Sequence, residues 1–347
     1  MATGLNGLFL TGDAFDFYVF FEMAMASAFV LASYGEQGRH IRATVIFLVV
    51  NLLGSALFLV AVASLYHVTG TLNMQEIAAR VTVANPTSIV LMSTILFVAF
   101  SIKLGLFPFH YWLPAVYRDT MPSVTAILAG ALANIGGFGL LRFGAGMLPD
   151  ALHTGATALL VLGSLSILYG EIQAVSRFPT DEALAYSSIG QVGYVLIALA
   201  IGGVIGYAAA IFYTVANSLN KTTLFLANDR WGRLIGPSFA MGGFSVAGVP
   251  PSAGFFGKVN VFQTGISVQN WAIVALVFAG GVLSLVYMFQ IYQRNFWGEQ
   301  PCRQNSPIKA QLPVLALAII LLGLGIWPDP LLAFTRHVGD ASMRGLP

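Results

Sequence analysis

Apolar runs of about twenty residues, each long enough to cross a bilayer, recur along almost the whole of this chain. That feature excludes most alternatives. Only 9% of the residues are charged and 57% are apolar, whereas a soluble globular domain carries roughly 25% charge. A chain of this kind cannot cover its surface with polar groups, so its solvent is lipid, where backbone N–H and C=O groups have to be satisfied within the segment. The expected fold is an all-α membrane protein, a single polytopic domain over residues 1–347. Hydropathy places about ten spans, near 14–34, 43–66, 89–116, 122–145, 154–176, 184–204, 206–227, 238–265, 271–293 and 311–331. The loop 67–88 holds a short amphipathic piece, LNMQEIAARV, and the loop 294–310 is polar.

The net charge of +2 is too small for a nucleic-acid binder. The lone cysteine, Cys302, sits in a polar loop and excludes an internal disulfide. The opening MATGLNGLFLTGDAFDF lacks a basic residue and carries two aspartates, unlike a cleaved signal. Loop charges set the orientation. Arg39, Arg42, Arg118, Arg177, Arg230, Arg233, Arg294, Arg303 and Lys309 fall on one side, and Arg80, Arg142, Arg336 and Arg344 on the other. The first side is expected to be cytoplasmic, with both termini opposite. Trp231, Trp271, Trp297 and Trp327 lie near span ends, as an interfacial belt requires.

Two spans are interrupted. The third reads FSIKLGLFPFHYWLP, with Lys103 ahead of Pro108; the eighth reads GVPPSAGFFGK, with Lys258 after Pro250 and Pro251. Proline removes a backbone donor and clashes with the preceding turn. Such breaks survive in lipid where protein or a water-filled cavity satisfies the freed groups. Two broken helices of opposite direction, each with a lysine, point to inverted repeats. The expected division is 14–145 for the first, 154–293 for the second and 311–331 for an extra C-terminal helix.

Three of the four lysines, Lys103, Lys221 and Lys258, lie inside spans, while arginines sit in loops or at span ends. A mid-bilayer lysine costs roughly 2.5–3.5 kcal/mol on insertion scales, so three amount to about 8–10 kcal/mol. Buried partners and water must offset that. Glu22, mid-span in YVFFEMAMASAF, is the matching anion, and Glu171 lies nearer a span end. The economical arrangement is a buried Glu22–Lys103 pair, whose disruption would strand a charge at roughly 3–5 kcal/mol. Lysine is the informative choice, because it can release its proton in a protein interior and arginine cannot. Polar uncharged residues extend the line. Tyr213, Asn217 and Lys221 are spaced by four on one helix face, and Ser187 and Gln191 are likewise four apart, with Ser188 beside them. Asn134 lies inside the fourth span and His110 follows the first break. Each alone is an ordinary interhelical hydrogen-bonding group; together with the lysines they outline a polar axis through the membrane centre.

The segments FYVFFEMAMASAF, IKLGLFPFHYWLP, LAYSSIGQVGYVL, NSLNKTTLFL and GVPPSAGFFGK carry a resemblance. In that order they resemble the antiporter-like subunits of respiratory complex I and the related subunits of Mrp-type cation/proton antiporters and membrane-bound hydrogenases. The wording is most similar to the D-type Mrp subunits. The resemblance implies a proton-translocating subunit of a multisubunit complex, with other membrane subunits, the bilayer and protons as partners, and it leaves sodium open. No flavin, haem, iron–sulfur or nucleotide motif appears in the sequence, so no cofactor, metal or catalytic site of its own is expected, and any redox chemistry belongs to partners. By resemblance, Glu22 matches the glutamate that pairs with a lysine on the first broken helix, and Lys103 that lysine. Lys221 matches the central lysine of the connecting axis, and Lys258 the ionisable residue of the second broken helix. Asn134 stands where many members have a further lysine, and Gln191, Asn217 and Tyr213 where many have histidine. The family fold has more helices before the match begins, so the first repeat is expected to be incomplete. The rival readings are a proton-pumping subunit of complex I or of a membrane-bound hydrogenase, and a scaffold that conducts nothing.

Overall fold

The computed structural model describes residues 1–35, 38–82, 85–297 and 306–343; Cys302, Arg303 and Arg344 lie outside them. The described residues are almost entirely helical. In chain order they form α1 (Ala2–Leu10), α2 (Ala14–Ser33), α3 (Gly38–Thr69), α4 (Met74–Val81), α5 (Pro86–Leu104), α6 (Trp112–Asp119), α7 (Pro122–Ile127) and α8 (Asn134–Gly139). These are followed by α9 (Pro149–Ser176), α10 (Thr180–Ile201), α11 (Gly203–Ala227), α12 (Ile235–Ala247), α13 (Ala253–Ser267), α14 (Trp271–Tyr292), α15 (Ile308–Ile326) and α16 (Asp329–Met343). Wider π turns at Leu128–Leu132 and Leu140–Ala145 join α7 and α8 into one rod from Pro122 to Ala145.

Among the described residues, eight helices are long and apolar enough to cross a membrane. They include α2, α3, α5, the Pro122–Ala145 rod, α9 and α10, together with α14 and α15. The remaining two expected spans differ for a physical reason. The 206–227 span is α11, 25 residues long, whose polar run Asn217–Thr223 lowers its hydropathy. The 238–265 span is divided into α12, of 13 residues, and α13, of 15, neither long enough to cross by itself. The amphipathic piece of the 67–88 loop is α4. The helix α1 lies outside every span expected from hydropathy, and α16 overlaps the last of them only at residues 329–331.

Both breaks occur where proline and glycine predict them, and the protein satisfies the backbone groups they free. Helix α5 stops at Gly105, whose φ of +64° is a left-handed conformation suited to glycine. The Ile102 carbonyl at the end of α5 accepts the Trp112 indole N–H at 3.0 Å, and the Phe107 N–H donates to Ser166 Oγ of α9 at 3.1 Å. Helix α12 stops at Gly248, with φ +80°. Ser245 Oγ accepts from the Gly254 N–H at 2.9 Å, and Ser252 caps α13. Both breaks contain a cis X–Pro bond, at Phe107–Pro108 and Pro250–Pro251.

Close packing explains the positions of the rest. Phe17, Phe58, Phe100 and Phe143 interlock α2, α3, α5 and the second π turn, with ring centroids 5.0–5.7 Å apart for Phe17–Phe143, Phe58–Phe100 and Phe17–Phe58. Helices α9 and α10 meet along glycines. A Cβ on Gly170 would stand 2.7 Å from Gly190 Cα, and one on Gly163 would stand 2.9 Å from the Gly193 carbonyl oxygen. Small residues let backbones approach in lipid, where no hydrophobic force drives helices together.

At the entry to α2, the Asp13 carboxylate accepts from the Phe15 and Asp16 N–H groups at 2.8 and 3.0 Å. Its backbone pairs with Asn73, which caps α4 in the same way. Asp13→Ala is therefore expected to lower stability by about 1 kcal/mol, readable as a drop in the thermal unfolding midpoint.

Candidate functional site

Lys103 is held by helix α3. Its Nζ donates to the Asn51 carbonyl at 2.8 Å and to Ser55 Oγ at 2.9 Å, and sits 4.1 Å from the centroid of the Phe21 ring. Its stem crosses Gly54, where a Cβ would come within 3.0 Å of Lys103 Cε. The expected Glu22–Lys103 ion pair is not formed as a contact, since no described ion pair joins the two. The reason is angular. Phe17, Phe21, Ala24, Met25 and Ala28 make the buried face of α2, and Glu22, one position on from Phe21, is turned about 100° away. Its Oε1 is buried without a hydrogen-bond partner, and it acts on Lys103 only through space. A neutral hydroxyl, a carbonyl and an aromatic face hold the ammonium instead.

Lys221 and Lys258 belong to a second, larger group centred on a residue that hydropathy passed over. Glu171 is completely buried at 0% exposure, in contrast to the shallow position expected near a span end. Helix α9 ends at Ser176, where the expected span ends, and the burial comes from α10, whose Gly190 covers the carboxylate. Glu171 Oε1 accepts from Gln191 Nε2 at 2.8 Å, and Oε2 accepts from Ser284 Oγ at 3.1 Å. Lys258 Nζ donates to the same Ser284 Oγ at 3.1 Å and to the Ala247 carbonyl at 3.3 Å, so it also closes the free end of α12. Its ammonium lies 5.0 Å from the Tyr194 ring centroid. On the other flank, Lys221 Nζ donates to Ser187 Oγ at 2.7 Å, and Ser187 shares a 2.7 Å bond with the Tyr287 hydroxyl. Gln191 Nε2 reaches Ser284 at 3.4 Å and Tyr287 at 3.5 Å, while the Tyr213 hydroxyl donates to Gln191 Oε1.

The structure thus brings Lys221, Ser187, Gln191, Tyr213 and Lys258 together and adds Glu171, Ser284 and Tyr287, which sequence reasoning missed. A signal existed for two of them: Ser284 and Tyr287 are three apart, on one face of an otherwise apolar helix. Other expected members stand aside. Ser188 Oγ donates to the Leu184 carbonyl of its own helix. Asn217 is buried, with its Oδ1 unpartnered. Asn134 Nδ2 donates to the Gly130 carbonyl, which also accepts from Ser218 Oγ. His110 lies past the first break with its ring centroid 4.5 Å from that of Tyr169, and its Nδ1 is buried without a partner. Pro108, Pro250 and Pro251 sit at the two breaks. Among the described residues, no hydrogen bond or ion pair joins the Lys103 group to the Lys221 group. A pocket of about 10 Å³ beside Lys103 is lined by Phe21, Asn51, Trp112, Leu128 and Leu132 among others, room for about one water. Asn134 instead borders a separate cavity of about 520 Å³, otherwise mostly apolar.

These features define a helical membrane protein with two broken helices and ionisable side chains grouped in its interior. The family described as "NADH:quinone oxidoreductase/Mrp antiporter, TM" matches residues 11–233 and 231–284, and the chain belongs to that family. It is 31% identical to the D subunit of the Na(+)/H(+) antiporter of Alkalihalophilus pseudofirmus, over 98% of this chain and 74% of that protein. It is 30% identical to the N subunit of the NADH-quinone oxidoreductase of Desulforudis audaxviator, over 93% of this chain and 71% of that one. One polypeptide in the structure of the Mrp complex from Dietzia sp. DQ12-45-1b superposes with a TM-score of 0.90 at 25% identity, covering 98% of this chain and 76% of the other.

Proposed function

We propose that the chain is a proton-translocating subunit of a multisubunit membrane complex, of the D type found in Mrp cation/proton antiporters. Protons pass through Lys103, Lys221 and Lys258, and Glu22 biases Lys103 electrostatically without touching it. The observation that carries this reading is the second group. Two lysines from separate helices are joined through hydroxyls and a carboxylate in a region where each ionisable group is expensive to keep. The partners are other membrane subunits, the bilayer and protons.

The two broken helices form the centres of inverted repeats, 14–145 and 154–293, with 311–331 as an added helix. The membrane is an inner (plasma) membrane, and both termini face the non-cytoplasmic side. Contacts among the basic residues support that orientation. Arg118 and Arg177 share Glu182 at 3.8 and 3.2 Å, and Arg294 donates to the Arg177 carbonyl at 3.1 Å, so these three gather at one end of the bundle. Positive residues concentrate on the cytoplasmic side of membrane proteins.

The competing reading is a scaffold that conducts nothing. Asn134 favours it, because its amide bonds within its own helix and leaves the two groups unconnected by hydrogen bonds. Proton flux into proteoliposomes containing the assembled complex separates the two. Lys103→Ala is expected to reduce flux by about a hundredfold or more, on the scale of losing a proton-transfer group. Equal flux in wild type and variant favours the scaffold.

A further inference from the structure

The second group holds two lysines against one carboxylate. Lys221 and Lys258 are buried on opposite flanks of Glu171. The other titratable groups facing that carboxylate are tyrosines: Tyr194 on α10, Tyr213 on α11 and Tyr287 on α14. With both lysines protonated, an uncompensated positive charge would remain in a low-dielectric interior, which is strongly disfavoured. The group is better balanced one proton short, with one lysine neutral. Two arrangements then compete, the proton residing on Lys221 or on Lys258. Exchange between them needs a group in the middle that can both accept and release a proton, with hydroxyls on either side.

The geometry supplies that sequence. Lys258 Nζ, Ser284 Oγ and Glu171 Oε2 are linked by two bonds of 3.1 Å. Lys221 Nζ, Ser187 Oγ and the Tyr287 hydroxyl are linked by two of 2.7 Å, and Tyr287 lies beside Glu171, 3.5 Å from the Gln191 Nε2 that binds the carboxylate. Gln191 binds the other carboxylate oxygen and is itself fixed by Tyr213.

We propose that Glu171 is the exchange carboxylate of this group, carrying protons between Lys258 and Lys221; the inference rests on the proton-translocation reading above. In the first transfer an N–H bond of the Lys258 ammonium breaks and an O–H bond forms on Ser284, whose own proton passes to Glu171 Oε2. Lys258 is left as the amine and Glu171 as the carboxylic acid. In the second transfer the Glu171 proton passes to the Tyr287 oxygen, the Tyr287 proton to Ser187 and the Ser187 proton to the neutral Lys221. Glu171 returns to carboxylate, both hydroxyls are regenerated, and one proton has moved from Lys258 to Lys221. The reverse sequence runs through the same atoms.

The test uses the assembled complex in proteoliposomes, with flux driven by a pH gradient, and the infrared spectrum of the same preparation recorded under that gradient. Glu171→Gln is expected to lower flux by at least about tenfold. Ser284→Ala and Tyr287→Phe keep all three charges and remove one hydroxyl each, and each is expected to slow flux to a similar degree. While flux is driven, the wild type is expected to show the C=O stretch of a protonated carboxyl that is missing in Glu171→Gln. Undiminished flux in Glu171→Gln overturns the inference, as does undiminished flux in both hydroxyl variants or the lack of a Glu171-dependent band. Should Glu171→Gln fail to assemble, the two hydroxyl variants decide. A wild type without flux counts against the proposed function, and the infrared band still decides whether Glu171 exchanges a proton.

Discussion

Lys258→Met is expected to abolish proton flux while leaving the folded complex nearly as stable as the wild type. Stranding a buried charge usually costs about 3–5 kcal/mol, but this substitution strands none. Removing Lys258 leaves Lys221 and Glu171, a balanced pair still connected through Ser187, Tyr287 and Gln191. Methionine fills the space of the lysine stem, and a volume-conserving swap costs less than about 1.5 kcal/mol. Leaving the Ala247 carbonyl unpaired costs about 1–3 kcal/mol, and removing a buried ammonium offsets part of that. Flux stops because the proton no longer has two alternative residences and settles on Lys221. Thermal unfolding of the purified complex and flux in proteoliposomes, measured on the same preparation, give the answer. Retained flux contradicts the relay, and a loss of more than about 3 kcal/mol contradicts the charge argument.

Gly170→Val is expected to be the more damaging substitution, although it touches no ionisable atom. A Cβ at Gly170 meets Gly190 Cα at 2.7 Å and the Tyr186 carbonyl oxygen at 2.8 Å, both backbone atoms that cannot swing aside. Helix α9 must move off α10, which parts the Glu171–Gln191 bond one residue along. Overpacking costs about 1–3 kcal/mol where side chains adapt, and a backbone clash belongs at or beyond the top of that range. The expected outcome is a fall in assembled complex together with lost flux. Gly155→Ala on the same helix is the control: its nearest neighbour would be a Phe97 ring carbon 3.9 Å away, so it should assemble normally. Normal assembly of Gly170→Val would show that the seam between α9 and α10 is looser than these distances imply.

The features that are local along the chain are legible in the residues themselves. Span positions follow from hydropathy, the breaks follow from Gly105, Pro108 and Gly248–Pro251, and the buried lysines stand out because nothing nearby is charged. What escapes is set by rotation and by distance along the chain. Glu22 occupies the expected span but points off its buried face, which hydropathy does not encode. Glu171 meets Ser284 across 113 positions and Gln191 across 20. Such partners are invisible until the helices are packed, and a polar residue near a helix end looks solvated until another helix covers it. Helix α16 escapes because it is amphipathic and short of the length of a span, so hydropathy alone passes over it.

Helix α9 has a consequence of its own. Ser166 on this helix anchors the kink that follows Lys103, and Glu171, five residues further along, belongs to the other group. The two positions are about 7.5 Å apart on one rigid rod. Where Asn134 offers no electrical conductor between the halves, this rod supplies a mechanical one: a slide or tilt that pulls on the kink displaces the carboxylate by a comparable amount. The kink after Lys103 and the carboxylate of the second group therefore share one support, and a substitution that displaces α9 disturbs both.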